Sequence, residues 1–270
     1  MEERYIHGYS EKEQNRLIYQ NDVLSPYIYE RIDFTNCKRL MEVGCGVGAQ
    51  MLKVLHAYPE IHVTGVDISA TQLDKAKNLL EINDISPDRY HLVLTDITKI
   101  KPFELGTFDA INMVWVLEHV PNPQALLSAA CDQLESGGRI AVTEVFHNSF
   151  HTYPHLETTM TIWKRMIEVQ NELGGDANVG IRLCNLFSQC NLRSFEIKPY
   201  LKYFDRNHAD KKQRQFVYWS GLIESAIPQL MHEGDFDLSL WQKAQDEMAK
   251  AAGDPESVFY YSFIQGFGIK

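Results

Sequence analysis

Gly44, Gly46 and Gly48 alternate with Cys45 and Val47 directly after Glu42-Val43, and in this short turn residue type and spacing first imply chemistry. Glycine lets a backbone turn tightly and approach a bound ligand, and a helix opening just behind it offers unpaired N–H groups. Asp67 ends the next apolar run, where a carboxylate can accept both hydroxyls of a ribose. Asp96 ends the run after that, on the same carboxyl edge of a sheet. Both aspartates have a bland alternative, the capping of a helix or turn. His119, in Glu118-His119, follows the fourth apolar run and is the best single candidate for a general base. Further on, His147, His151 and His155 interleave with Phe146, Phe150 and Tyr153. Their four-residue spacing would align three imidazoles on one helix face, where metal ligation is conceivable. Pro154 and the Asn148-Ser149 pair oppose a continuous helix, and H-E-x-x-H is absent, so no metal is expected. His147, Phe150 and His151 are instead candidates for a polar, aromatic substrate wall, with Tyr203 as a candidate floor.

These side chains need a scaffold to bring them together. Residues 39–43, 61–66, 90–94, 108–114 and 139–146 read as short apolar strands, and 50–58, 69–83 and 123–134 as the helices between them. Ser69 or Thr71 would cap the second helix, and Gly137-Gly138 would stop the third. Strands separated by helices of this length imply parallel β-α-β units with right-handed crossovers. The later chain adds a helix at 182–189, a strand at 194–204, amphipathic helices at 210–232 and 238–252, and a closing strand at 257–264. The reading is a doubly wound, seven-stranded, mostly parallel sheet with helices on both faces. A mainly helical cap accompanies it, with an insertion between the last two strands.

Composition narrows the class. The chain has 270 residues, 44% hydrophobic, with 26 Lys and Arg against 36 Asp and Glu. Such an acidic balance argues against a nucleic-acid partner, which needs a basic footprint to displace counterions. No run approaches a membrane span, and residues 1–5 lack the charged and apolar regions of a secretory leader, so a cytoplasmic protein without a membrane partner is expected. Five scattered cysteines without a C-x-x-C pair suit neither a disulfide framework nor structural zinc. Monomer and homodimer are not distinguished by the sequence.

The glycine spacing separates two nucleoside cofactors. A dinucleotide turn reads G-x-G-x-x-G, whereas this one reads G-x-G-x-G, and an acidic Glu42 would repel a pyrophosphate while favouring a cationic amino group. With residues 42–48, Val66-Asp67, Thr95-Asp96-Ile97, Phe108-Asp109-Ala110, the run 116–123 and the loop 134–140, the sequence resembles the class I S-adenosylmethionine-dependent methyltransferases, whose sheet is Rossmann-like. The resemblance covers residues 36–147 densely. It implies that Gly44 and Gly46 pass near the methionine part of S-adenosylmethionine and that Asp67 binds the ribose, with Ile68 packing on the adenine. It also implies that Asp96 and Ile97 hold the adenine and that Val114 meets the amino-acid tail, with S-adenosylhomocysteine as product. A second, less specific likeness lies in Tyr5 to Ser10 with Arg16 and Gln20: Tyr9 would close over the methyl end, and Arg16 would pair with the cofactor carboxylate. Glu13 and Arg16, three apart on a helix, could equally form a surface ion pair.

What the resemblance implies is methyl transfer to a small molecule by in-line displacement. Alternatives on the same scaffold are aminopropyl transfer, use of the cofactor without methyl transfer, and a nonenzymatic cofactor-binding module. The expected organisation is one unit over 1–270: scaffold at 36–147, 181–204 and 257–270, and a substrate cap at 1–35, 148–180 and 205–256. Neither the acceptor nor the atom methylated can be read from the sequence.

Overall fold

The computed structural model describes residues 5–232 and 237–270. Its first half alternates strand and helix: β1 (Arg39–Val43), α2 (Ala49–Ala57), β2 (His62–Asp67), α3 (Ala70–Ile82), β3 (Tyr90–Leu94), β4 (Phe108–Val114), α4 (Pro123–Asp132) and β5 (Leu134–Val145). Helix α1 (Glu11–Ile28) precedes them. After them come β6 (His151–Tyr153), α5 (Glu157–Glu172), α6 (Leu183–Ser188), β7 (Ser194–Phe204), α7 (Ala209–His232), α8 (Leu238–Gly253) and β8 (Val258–Ile269).

The strands form one open sheet in the order β3-β2-β1-β4-β5-β8-β6, with β7 paired to β8. Pairs among β1 to β5 are parallel, and every pair made by β8 is antiparallel. Successive strands move outward from β1 in one direction and from β4 in the other. That reversal leaves a crevice at the carboxyl ends of β1 and β4, the place where open α/β sheets bind ligands.

Strand periodicity divides the core between two faces. On β4 and β5, Ile111, Met113, Ile140 and Val142 pack with Leu127 of α4 and Phe187 of α6. Ala110 and Ala141 alternate with them and join a core that continues through α2 into α1, α5, α7 and α8. Trp163 of α5, Trp219 of α7 and Trp241 of α8 are all buried in that helical layer. Ser69 is the cap of α3, accepting from the Gln72 N–H.

Three boundaries depart from the expectation. The eighth strand, β6, stands where the histidine helix was considered; it pairs with residues 258–260 of β8, beyond the stretch held by β5. Strand β5 begins at Leu134, before Gly137-Gly138, with a register shift opposite Phe108 to Ala110. The last strand runs on to Ile269 through Gly266 and Gly268, because β5 and β7 pair with both its edges and the Phe187 ring occupies the space beside those glycines. No described helix is long and apolar enough to cross a membrane.

Candidate active site

A cavity of about 520 Å³ lies at the carboxyl ends of the central strands, with the glycine turn on one wall and Tyr218, Trp219 and Leu222 of α7 on another. Gly44 and Gly46 have φ of 66° and 50°, in the left-handed region that favours glycine. Their surroundings differ. A Cβ at Gly44 would lie 2.7 Å from both γ carbons of Val116, whereas a Cβ at Gly46 would meet nothing within 4 Å. The turn is therefore packed at its first glycine and open at its second.

Asp67 ties that turn to the end of β2. Its Oδ2 accepts the Gly46 N–H at 2.8 Å and its Oδ1 accepts the Ser69 N–H at 2.9 Å. Burial raises the Asp67 pKa, and the backbone bonds oppose that rise. Asp96 accepts from Thr98 N at 3.0 Å and Thr98 Oγ1 at 2.6 Å and pairs with Lys99 at 2.8 Å. It therefore caps a 3-10 turn while lining the cavity; burial would raise its pKa, but the Lys99 and Thr98 bonds lower it overall. Ile97 is 2% exposed, whereas Ile68, which the resemblance has packing on the adenine, is 50% exposed on the cavity wall. Val114 lines the cavity at the end of β4. Trp115 follows it with φ of 56°, unusual for a bulky side chain, and its buried indole N–H has no hydrogen-bond partner.

Glu42 does not line the cavity. It lies buried behind the turn, 3.5 Å from the Asn112 amide, and burial pushes its pKa up to about 8 against the bonds from Asn112 and Met51. A carboxyl so raised is mainly protonated at neutral pH, so it does not supply the repulsion of pyrophosphate argued from its residue type.

The N-terminal segment and α1 form a further wall through Tyr9, Arg16 and Gln20. Arg16 is not on the surface: its Nε and Nη2 grip both Glu13 oxygens at 2.7 and 2.6 Å, and its Nη1 donates to Gln20 at 2.7 Å. The two side chains of this ion pair are 9% and 1% exposed. Tyr5 reaches from the same segment to pack edge-on against His119, ring centres 4.8 Å apart.

His119 and His147 both line the cavity, and burial lowers each imidazole to about 3, so both are uncharged at neutral pH. The remaining three wall candidates lie elsewhere. Phe150 is 1% exposed, packed among Trp163, Trp219 and Phe259. His151 is on the short strand β6, on the exposed side near Tyr260, and Tyr203 of β7 is 49% exposed opposite Tyr260. Strand geometry at 151–153, in place of a helix, separates His151 from His147. Among the described residues no cluster of three His, Cys, Asp or Glu is placed to hold a metal ion.

Residues 41–142 match the family model described as "Methyltransferase domain". The glycine turn, Asp67 and Asp96 all fall within this matched stretch, which is similar to methyltransferase domains. Two curated relatives are the ubiquinone biosynthesis O-methyltransferases of Marinobacter nauticus, 30% identical over 122 residues (45% of this chain, 50% of that protein), and of Dechloromonas aromatica, 33% identical over 112 residues (41% and 46%). The chain thus spans about half the length of these curated relatives. Haemonchus contortus phosphoethanolamine N-methyltransferase 2, solved in complex with S-adenosyl-L-methionine, is similar in fold, with a TM-score of 0.60 over 99% of this chain and 58% of its own at 13% identity.

Several residues that line the cavity carried no sequence signal as site residues. Trp115 is marked only by its backbone angle, and Tyr218 and Tyr261 arrive from α7 and β8, far along the chain. Glu118 is legible as a neighbour of His119, but not as a group that also faces His147.

Proposed function

We propose that this chain moves a methyl group from S-adenosylmethionine to a small-molecule acceptor by in-line displacement. The observation that carries the reading is Asp67, whose carboxylate is fixed across the glycine turn by the Gly46 and Ser69 N–H groups on the cavity wall. The residues present suit the cofactor. The open face of Gly46 is a space that a Cβ would fill, and the half-exposed Ile68 beside Asp67 offers an apolar surface for a flat ring. In this reading Asp67 holds the ribose, Asp96, Ile68 and Ile97 hold the adenine, and Gly44, Gly46 and Val114 border the amino-acid end. Arg16, held by Glu13, Gln20 and Tyr218, is the cation that pairs with the cofactor carboxylate, and Tyr9 covers the methyl end. When bound, the sulfonium supplies a methyl group with its leaving group built in.

The chain's own work is then alignment and exclusion of water, and orientation alone contributes on the order of 7 to 11 kcal/mol. Tyr5, Tyr9 and α7 wall the cavity against solvent. We read 1–270 as one unit, with 36–147, 181–204 and 257–270 as scaffold and 1–35, 148–180 and 205–256 as the cap that selects the acceptor. A cytoplasmic enzyme without nucleic-acid or membrane partners fits the acidic composition.

Calorimetric titration with S-adenosylmethionine, S-adenosylhomocysteine and NAD tests the cofactor, and binding of NAD alone would refute the reading. Mass spectrometry of a small-molecule extract incubated with the chain and methyl-labelled cofactor tests transfer, and the expected result is one labelled product.

A further inference from the structure

The half of the cavity formed by the ends of β4, β5 and β8 holds a carboxyl group between two imidazoles. Glu118 Oε1 lies 3.5 Å from His119 Nε2, and Glu118 Oε2 lies 3.6 Å from His147 Nε2. The Gln170 amide donates to Glu118 Oε2 at 2.8 Å, and His147 Nδ1 stands 3.1 Å from Tyr261 Oη. The side chains of Glu118 and His147 are each 7% exposed, and all five of these residues except His119 are buried. Neither distance from Glu118 to an imidazole is yet a full hydrogen bond, a spacing common in catalytic groups before a substrate tightens them.

The charge of this half is as informative as its geometry. Among the described residues Arg16 is the one Lys or Arg side chain that lines the cavity, and Glu13 closes on it. Burial keeps both imidazoles uncharged and pushes the Glu118 carboxyl well above the usual carboxylate range, helped by Glu144. Tyr5, Trp115, Tyr218, Trp219 and Tyr261 give the walls flat apolar faces. With Arg16 taken by Glu13 and the cofactor, a carboxylate or phosphate entering here would meet no further Lys or Arg, and an ammonium would meet a carboxyl whose ionisation burial opposes; either would be a poorly paired buried charge. An uncharged hydroxyl can donate to a neutral imidazole.

We propose that the acceptor is an uncharged ring carrying a hydroxyl group, that His119 receives the hydroxyl proton, and that Glu118 is the positioning residue that holds His119 and His147 for this step. The proposal rests on the cofactor reading above. The acceptor oxygen forms the new C–O bond as the C–S bond breaks, the electron pair of the broken bond stays on sulfur, and the hydroxyl proton passes to the His119 imidazole and from there to solvent. Glu118 holds the His119 ring in place while it carries the proton. His147, held by Tyr261, keeps the other carboxyl oxygen from turning away.

Calorimetry on the full chain loaded with S-adenosylhomocysteine compares catechol, benzoate and benzylamine. Catechol is expected to bind, and each charged ring at least about tenfold more weakly. With S-adenosylmethionine, Glu118→Gln is expected to lower kcat for catechol roughly a hundredfold, while catechol KM and S-adenosylhomocysteine affinity stay within about threefold of wild type. Retained affinity for S-adenosylhomocysteine shows that the variant is folded. Tighter binding of benzoate or benzylamine, no binding of catechol to the loaded chain, catechol bound without methyl transfer, or a variant with raised KM and unchanged kcat would each overturn the proposal. Failure of S-adenosylhomocysteine to bind the wild type would overturn the cofactor reading and this proposal together, whereas failure of catechol alone overturns only this one.

Discussion

Replacing Gly46 with alanine distinguishes a turn shaped for its own packing from a turn shaped for a ligand, and Gly44 supplies the control. Both residues have positive φ, 66° at Gly44 and 50° at Gly46, so alanine costs about 1 to 2 kcal/mol in backbone conformation at either place. Their neighbours then separate them. At Gly44 the new methyl lies 2.7 Å from the Val116 γ carbons, and overpacking a closed site costs about 1 to 3 kcal/mol more. At Gly46 nothing stands within 4 Å, so the fold loses only the conformational cost. Urea unfolding should place the Gly44→Ala midpoint well below that of Gly46→Ala at similar slope. Binding should reverse the order of harm per unit of stability lost. The Gly46 methyl projects into open cavity beside the N–H that holds Asp67, so S-adenosylhomocysteine affinity should fall at least about tenfold, or 1.4 kcal/mol. Calorimetry on the folded variant reads this directly. A Gly46→Ala chain that is folded and binds with wild-type affinity would refute the open face as the ligand seat. Equal midpoints for the two variants would refute the packing argument.

Asp67→Asn removes the charge that would hold the ribose hydroxyls and turns one of the two oxygens that accept from Gly46 and Ser69 into a donor; S-adenosylhomocysteine affinity should fall about ten- to a hundredfold, and an unchanged dissociation constant would remove Asp67 from the site. Lys202 is 1% exposed, donates to Gln215 at 2.9 Å and lies near the rings of Trp219 and Tyr261; burial lowers its pKa from 10.5 to about 7. Between those values the unfolded chain binds a proton that the folded chain does not, so this group makes stability rise with pH across about 7 to 10.5. Lys202→Met should flatten that rise and stabilise the chain at pH 7 by up to a few kcal/mol, less the cost of leaving Gln215 unpaired; an unchanged slope in urea midpoints against pH counts against it. Glu42 shows the opposite sign. Its pKa is raised from 4.5 to about 8, so the folded chain keeps a proton that the unfolded chain releases, and this group's contribution falls as pH rises through that window. Glu42→Gln should remove part of that fall without weakening S-adenosylhomocysteine binding, and a large loss of affinity would return Glu42 to the cofactor site.

Whatever depends on neighbours in the chain was legible, and whatever depends on distant packing was not. The glycine turn, Asp67 and Asp96 sit at the ends of strands whose apolar runs announce them, and strand order then places those ends on one edge. The same local logic fails at 147–155, where four-residue spacing is a helical argument but β8 captures residues 151–153 as a strand and sends His151 outward. It fails at Arg16 in a different way. Spacing alone allowed a surface pair with Glu13, but the pair is buried, with Tyr218 of α7 bonded to Gln20 beside it, and burial turns a weak contact into a closed fork that alters what charge the cavity can accept. Ile68 is the instructive counterpart. An isoleucine after a strand end should be covered by the fold, as Ile97 is, yet half of Ile68 faces the cavity next to the Asp67 carboxylate. Apolar surface left open beside a fixed carboxylate gains nothing for the isolated chain. It becomes favourable only when a partner with a flat apolar face and hydroxyl groups covers both at once, which is the demand a nucleoside satisfies.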